Sequence, residues 1–287
     1  MAWTPPAPDR RPSRALVLAG GGATGIAWEA GVVAGLREEG IDVRDADLIV
    51  GTSAGSAVAA QLRVGGSPEE AFEGIREGRP LGDLGRLGAL DAIRFVRAQL
   101  ATDRSAGRSV VGRAALRART SSEDAWVRTV AAFLHEVPWP RGALAITAVD
   151  AETGIPVVFD AASGVPLDRA VAASCAVPGV FPPVTVGERR YVDGGLRSVA
   201  NADLAQGYDR VLVLAPIPLA VRRSDRPGPQ TRGLGGAVRS LVVVPDRASA
   251  RALGRRPLDT RRGRASEAAG REQGRREADR VRRVWLP

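Results

Sequence analysis

Two short apolar runs, Ala15–Ala19 and Asp47–Val50, each end in a glycine-bearing turn that leads into a stretch with helical spacing. The first turn is Gly20-Gly21-Gly22-Ala23-Thr24-Gly25, followed by Ile26–Glu39 and the terminating Gly40. The second is Gly51-Thr52-Ser53-Ala54-Gly55, followed by the alanine-rich Ser56–Arg63. Strand–turn–helix repeated twice in fifty residues demands parallel strands, because a helix must carry the chain back before the next strand begins. The expected class is therefore α/β, with a mainly parallel central sheet and helices on both faces.

The remaining chain is compatible with that class. Ser67-Pro68-Glu69-Glu70 is a strong helix start, and several helices are expected over 67–136. Strands are predicted at Ala143–Asp150, Ile155–Asp160, Arg189–Asp193, Val211–Leu214 and Leu241–Val244. The segment 222–236, with scattered Pro and Gly, reads as a loop. An arginine-rich helix is predicted at about 264–285, weakened by Gly270 and Gly274. Residues 1–14, rich in Pro and Arg, read as a flexible arm, and 15–287 as a single domain.

Composition removes several chemistries. All 41 basic residues are arginine, so a Walker phosphate loop, a Schiff-base lysine and a Ser–Lys dyad are impossible. One cysteine, Cys175, and one histidine, His135, exclude disulfide frameworks and His- or Cys-rich metal sites. No cofactor or metal is expected. Residues 1–220 carry 23 Arg against 25 acidic residues, whereas 221–287 carry 18 Arg against 7. The basic excess belongs to the C-terminal quarter, where it reads as a solvated helix face or as a contact for anionic membrane. Aromatic residues for base stacking are nearly absent there, with Trp285 alone, so no nucleic acid is expected. No apolar run reaches the ~18 residues of a membrane span. The longest, Val211–Val221, has 11 residues and contains Pro216 and Pro218. Arg10, Arg11 and Arg14 before Ala15–Ala19 imitate a leader sequence, but the glycines break the apolar core too early. The expected location is cytoplasmic, with peripheral membrane contact.

Gly51-x-Ser53-x-Gly55 between a strand and a helix is the arrangement of a nucleophile elbow. Small flanking residues permit the sharp turn that projects a serine hydroxyl, and the following helix aims its N-terminus at the charge formed in acyl transfer. The glycine loop allows two readings. Its N–H groups can converge on an oxyanion, or Gly20-x-Gly22-x-x-Gly25 can cradle a dinucleotide, with Asp45 about 20 residues on. For a general base, His135 at the end of a helix reads as a structural residue. Tyr191-Val192-Asp193-Gly194-Gly195 ends a strand with a carboxylate that two glycines leave accessible; a desolvated aspartate held near the serine can take its proton.

Taken together, the glycine loop, the elbow, Asp193-Gly194-Gly195 and the segment Ala173-Ser174-Cys175-Ala176-Val177-Pro178-Gly179-Val180-Phe181-Pro182-Pro183 resemble the patatin-like phospholipase family over about residues 15–215. The resemblance implies a patatin-like three-layer fold related to the α/β-hydrolases. It implies a Ser–Asp dyad hydrolase acting on acyl esters of lipids, with no metal. Ser53 would be the nucleophile, Asp193 the base, and the N–H groups around Gly20, Gly21 and Gly22 the oxyanion hole. Gly25, Gly51, Gly55, Gly194 and Gly195 would support these motifs, and the Pro178 region would shape the wall of the site. Thr24 stands where the family usually has Arg or Lys. Two other functions compete: a nucleotide-binding oxidoreductase using Gly20, Gly22, Gly25 and Asp45, and an inactive lipid- or anion-binding protein of the same fold.

Overall fold

The computed structural model describes residues 3–8, 12–65, 73, 96–134 and 137–286. The expected start of a helix at Ser67 lies outside these residues, as does His135. The apolar runs form β1 (Arg14–Leu18) and β2 (Leu48–Thr52), which pair in parallel. Both are buried on both faces. Along β1, Leu16 and Leu18 enter one core while Ala15, Val17 and Ala19 enter another. Period-two alternation with both faces apolar is the signature of a central strand in a layered α/β fold.

The sheet has eight strands in the order β5-β6-β3-β2-β1-β7-β8, with β4 also paired to β3. Here β3 is Ala143–Asp150, β4 Pro156–Phe159, β5 Val184–Val186, β6 Arg189–Asp193, β7 Arg210–Leu214 and β8 Arg239–Val243. Strands β3, β2, β1, β7 and β8 run parallel, whereas β4 and β6 are antiparallel to β3. The register of β3 has a consequence for the site. Thr147 pairs with Thr52 of β2 and Val158 of β4, and Ala148 pairs with Val157 of β4 and Asp193 of β6. A strand residue has two edges, so β2 and β6 occupy the same edge of β3 and meet end to end, one finishing at Thr52 and the other at Asp193.

One face of the sheet carries α1 (Gly22–Glu38), α2 (Ala54–Val64), α4 (Glu123–Leu134), α5 (Leu167–Ser174) and α8 (Gly263–Trp285). The other is covered by α3 (Arg104–Ala115), by the short turn Ala202–Ala205 and by residues following α6 (Pro227–Arg232), such as Leu234. Helix α1 starts at Gly22, four residues before the predicted start, so the last four of the six glycine-loop residues are its first turn. Helix α6 lies in the segment predicted as a loop, and α5, α7 (Arg247–Leu253) and β5 are not among the predicted elements.

Helix α8 runs unbroken through Gly270 and Gly274. A Cβ at Gly270 would overlap the Trp28 carbonyl and one at Gly274 that of Val32; reciprocally, Gly31 and Gly35 of α1 press against the Glu267 and Arg271 carbonyls. The four glycines bring the two helix backbones together, and Ala278, Val281 and Trp285 complete the buried face. Buried Gln273 accepts from Trp28 Nε1 (3.1 Å) and donates to the Val244 carbonyl (2.7 Å), joining α8 to α1 and to the end of β8. The arginines on the outer face are largely neutralised in place. Arg271 and Arg275 pair with Glu38, Arg276 with Asp246 and Glu272, Arg280 with Glu277, and Arg282 with Asp279.

The expected N-terminal arm does not project freely over residues 3–8. Trp3 Nε1 donates to Asp160 (3.0 Å) and the Tyr208 hydroxyl to the Pro6 carbonyl (2.9 Å). Among the described residues no helix is long and apolar enough to cross a membrane.

Candidate active site

Ser53 sits at the end of β2 and caps α2, with φ 52° and ψ −122°. Positive φ at a non-glycine residue stores on the order of 1–3 kcal/mol of strain, which surrounding contacts must hold. They are present. The Ser53 N–H donates to Ser174 Oγ (2.9 Å), while the Ser53 carbonyl accepts from Ser56 Oγ (2.6 Å) and Cys175 Sγ (3.1 Å). Gly55 explains the elbow's second glycine: a Cβ there would overlap the Leu18 carbonyl. The missing Cβ lets the Gly55 N–H bond Ala19 O (3.2 Å), tying α2 to the end of β1. At Gly51, a Cβ would stand 2.5 Å from Ser56 Cα.

Asp193 ends β6, one register position beyond Thr52 along β3. Its Oδ2 accepts from Ser53 Oγ at 2.6 Å, and its Oδ1 from the Gly195 N–H at 2.7 Å. The two side chains meet across 140 residues with no imidazole between them. Both are buried. Burial pushes the Asp193 carboxyl up to about 6, against the lowering effect of the bonds from Ser53 and Gly195. The same burial, with the Asp193 charge nearby, pushes the Cys175 thiol up to about 12, so this sulfur is a neutral donor near pH 7. Gly194 lies directly on Thr147, where a Cβ would meet the carbonyl oxygen at 2.5 Å.

Two polar residues that sequence reasoning missed hold this junction. Ser174 is the acceptor for the Ser53 N–H. Asn201, buried and at φ 52°, donates from Nδ2 to Thr52 Oγ1 (3.0 Å) and to the Ser198 carbonyl (2.8 Å), and accepts from Arg197 (2.5 Å). It thus bolts the end of β2 to the chain that follows Asp193. Each is a polar residue set in an alanine-rich stretch, and that contrast is the only local signal.

The glycine loop lies beside the serine, with the Cβ position of Gly20 3.5 Å from Ser53 Cβ. Gly20 does not contribute its N–H, which is spent on the Val199 carbonyl (2.8 Å). Among the described residues nothing accepts from the N–H groups of Gly21 and Gly22. The loop is wedged between two prolines. A Cβ at Gly21 would come within 2.7 Å of Pro216, and one at Gly22, which has φ +63°, within 2.7 Å of the Pro257 carbonyl. That carbonyl also accepts the Thr24 N–H (3.0 Å), and Thr24 itself is buried in the first turn of α1. The dinucleotide reading fails on geometry. Asp45 pairs with Arg14 (2.7 Å), at the opposite end of β1 from the glycine loop. It also precedes β2 instead of ending it, so it cannot reach a ribose held at Gly20–Gly25.

The loop and the Ser–Asp pair floor a cavity of about 370 Å³. Its walls come from α4 (Trp126, Val130, Phe133), from Val177, Pro178 and Phe181, and from Ile217, Pro257 and Leu258. Trp126 and Phe181 stack with ring centroids 3.9 Å apart. Among the described residues, apart from Ser53, Asp193 and Cys175, these walls carry no ionisable or hydroxyl side chain. Among the described residues no group of three or more His, Cys, Asp or Glu side chains lies together to hold a metal.

A sequence model described as patatin-like phospholipase matches residues 16–205. The chain belongs to the patatin-like phospholipase family. The match encloses all four motifs on which the resemblance rested and stops just before β7. Among curated relatives, uncharacterized NTE family proteins of Mycobacterium bovis and Mycobacterium tuberculosis are each 32% identical over 184 residues. That alignment covers 64% of this chain and 26% of theirs, so the chain spans about a quarter of the length of these relatives. Among solved structures, VipD from Legionella pneumophila aligns over 96% of this chain and 68% of its own, with a TM-score of 0.47 and 14% identity. The ExoU–SpcU complex from the type III secretion system of Pseudomonas aeruginosa aligns over 94% of this chain and 52% of that one, with a TM-score of 0.43 and 19% identity.

Proposed function

We propose that this patatin-like domain is a serine acyl hydrolase that cleaves fatty-acyl esters of lipids through a Ser53–Asp193 dyad. The observation that carries the reading is the 2.6 Å bond from Ser53 Oγ to Asp193 Oδ2 at the floor of an apolar cavity. An acyl chain gains by leaving water for such walls, at roughly 25 cal/mol per Å² of apolar surface. With the chain there, its ester carbonyl would lie by Ser53 and Asp193, the polar side chains of the floor among the described residues.

In the first half-reaction Ser53 Oγ attacks the acyl carbonyl and its proton passes to Asp193 Oδ2. The oxyanion falls to the free N–H groups of Gly21 and Gly22, at the start of α1, where the helix dipole adds to the hydrogen bonds. The C–O bond to the alcohol then breaks, and Asp193 returns the proton to the leaving oxygen. In the second half-reaction water gives a proton to Asp193 and attacks the acyl-Ser53 carbonyl; the bond from the acyl carbon to Ser53 Oγ then breaks, Asp193 returns the proton to Oγ, and the fatty acid leaves. A carboxyl lifted to about 6 is a stronger base than an exposed aspartate and is still ionised near pH 7.

Labelling with a fluorophosphonate probe, mapped by mass spectrometry, tests the nucleophile, and a short p-nitrophenyl ester tests turnover. Ser53 should carry the label, and Ser53→Ala should lose both label and turnover. Full turnover by Ser53→Ala would overturn the proposal.

A further inference from the structure

The loop that leaves β7 carries apolar side chains away from the core. Ile217 is 36% exposed, Leu219 68% and Val221 41%, and Ile217 also lines the cavity. The next residue, Arg222, fastens a second apolar group alongside. Its guanidinium bonds the Gln99 carbonyl and donates to that of Ala101 (2.7 Å), at the end of a helical turn over 96–100 whose Leu100 is 58% exposed. Gln99 in turn donates to the carbonyl of Leu196, another cavity residue (2.9 Å). The exposed strip is therefore continuous with the mouth of the cavity.

Cations flank the strip. Arg223 follows it directly, and Arg255 and Arg256 immediately precede the cavity residue Pro257; all three are exposed. Among the described residues none of the three has an ion-pair partner, whereas five arginines on the outer face of α8 do. Exposed apolar side chains beside the cavity, with exposed arginines next to them in the chain that have no ion-pair partner among the described residues, suit the boundary between lipid headgroups and acyl chains, with the cations on phosphate.

We infer that this face is a membrane-docking surface, and that its occupant is a bilayer containing anionic lipid. The inference rests on the reading of the cavity as the acyl site, and it sets the cavity mouth against the lipid that supplies the ester. It moves the basic contact expected of α8 to the loops after β7 and α7.

The test uses the full chain carrying Ser53→Ala, sedimented with phosphatidylcholine vesicles with and without phosphatidylglycerol. Leu219→Glu should lower binding to both by at least about tenfold. Arg255→Gln with Arg256→Gln should lower binding to the anionic vesicles by about twenty-five-fold, fivefold for each arginine, and the loss should fade in high salt. Arg280→Gln with Arg283→Gln on α8 should leave binding unchanged. The docking inference is overturned if Leu219→Glu and the double variant bind as before, or if the α8 variant alone abolishes binding. It is also overturned if sedimentation velocity shows a dimer that Leu219→Glu converts to monomer, since a second copy would then own the patch. With Ser53 restored, the docking variants should still cleave a soluble short ester. Cleavage of that ester with vesicle binding untouched by Leu219→Glu sinks the docking inference alone. Vesicle binding through this face with no ester cleavage by the wild type sinks the hydrolase reading alone.

Discussion

Asp193 is held at odds with its surroundings, and that conflict has measurable consequences. Its carboxyl sits near 6 because burial penalises the charge. Under the proposed mechanism only the ionised form accepts the serine proton, so kcat/KM for a neutral ester should rise with pH through an apparent pKa of about 6 and then level off. A profile flat from pH 5 to 8 would count against Asp193 as base. The stability effect has the opposite sign. The folded state binds this proton more tightly than the unfolded chain, so the stabilisation is full below the ordinary value of 3.8 and is lost as pH rises through about 6. Asp193→Asn should therefore abolish turnover while raising the unfolding free energy at pH 8 by on the order of 2 kcal/mol, with little gain at pH 4. Urea denaturation at the two pH values checks it. Ser53 and Asp193 were legible because each sits in a short pattern with a steric reason for its glycines. Ser174 and Asn201 were not, because their bonds to the elbow span 121 and 149 residues and leave only the faint local contrast of a polar residue among alanines. Nor could the loop sequence reveal that Gly20 spends its N–H on Val199.

Helix propensity misjudges two elements for one physical reason. Propensity counts what glycine costs locally, about 1 kcal/mol relative to alanine, and not what a missing Cβ permits in packing. At Gly22 the absence of a side chain admits the Pro257 carbonyl, so α1 begins inside the glycine loop. At Gly270 and Gly274 it admits the backbone of α1, so the residues that read as weak points are the contact itself. Gly274→Leu should destabilise the protein by about 3 kcal/mol or more, because the Val32 carbonyl cannot retreat. Ala268→Leu, on the exposed side of the same helix, should cost less than about 0.5 kcal/mol. Thermal or urea unfolding of the pair separates packing from propensity; equal losses would refute the close-contact account. Arg44, at the other end of the sheet, pairs with Asp42 (2.6 Å), a surface contact that decides nothing about the site.

The order of elements along the chain conveyed the parallel half of the sheet, since each βα unit announces a crossover. It did not convey that β6 runs against β3, because a short strand of mixed burial carries the same pattern in either direction. The family match ends at residue 205, yet β7 pairs with β1 and α8 buries Trp28 and Trp285. A chain ending at 205 would leave one edge of β1 open and the outer face of α1 bare. We expect residues 1–205 alone to be unfolded by circular dichroism and unreactive toward the fluorophosphonate, and residues 12–287 to fold and react. A folded, labelled short chain would show that the last quarter is an appendage and that 15–287 is not one unit.

Because β2 and β6 abut along one edge of β3, that strand acts as a ruler on which the two partners of the Ser53–Asp193 hydrogen bond are measured off. The long stretch between Ser53 and Asp193 can therefore lengthen or shorten without altering their spacing. Losing a single residue within β3 would instead slide one mark past the other by about 3.3 Å and part the proton donor from its acceptor.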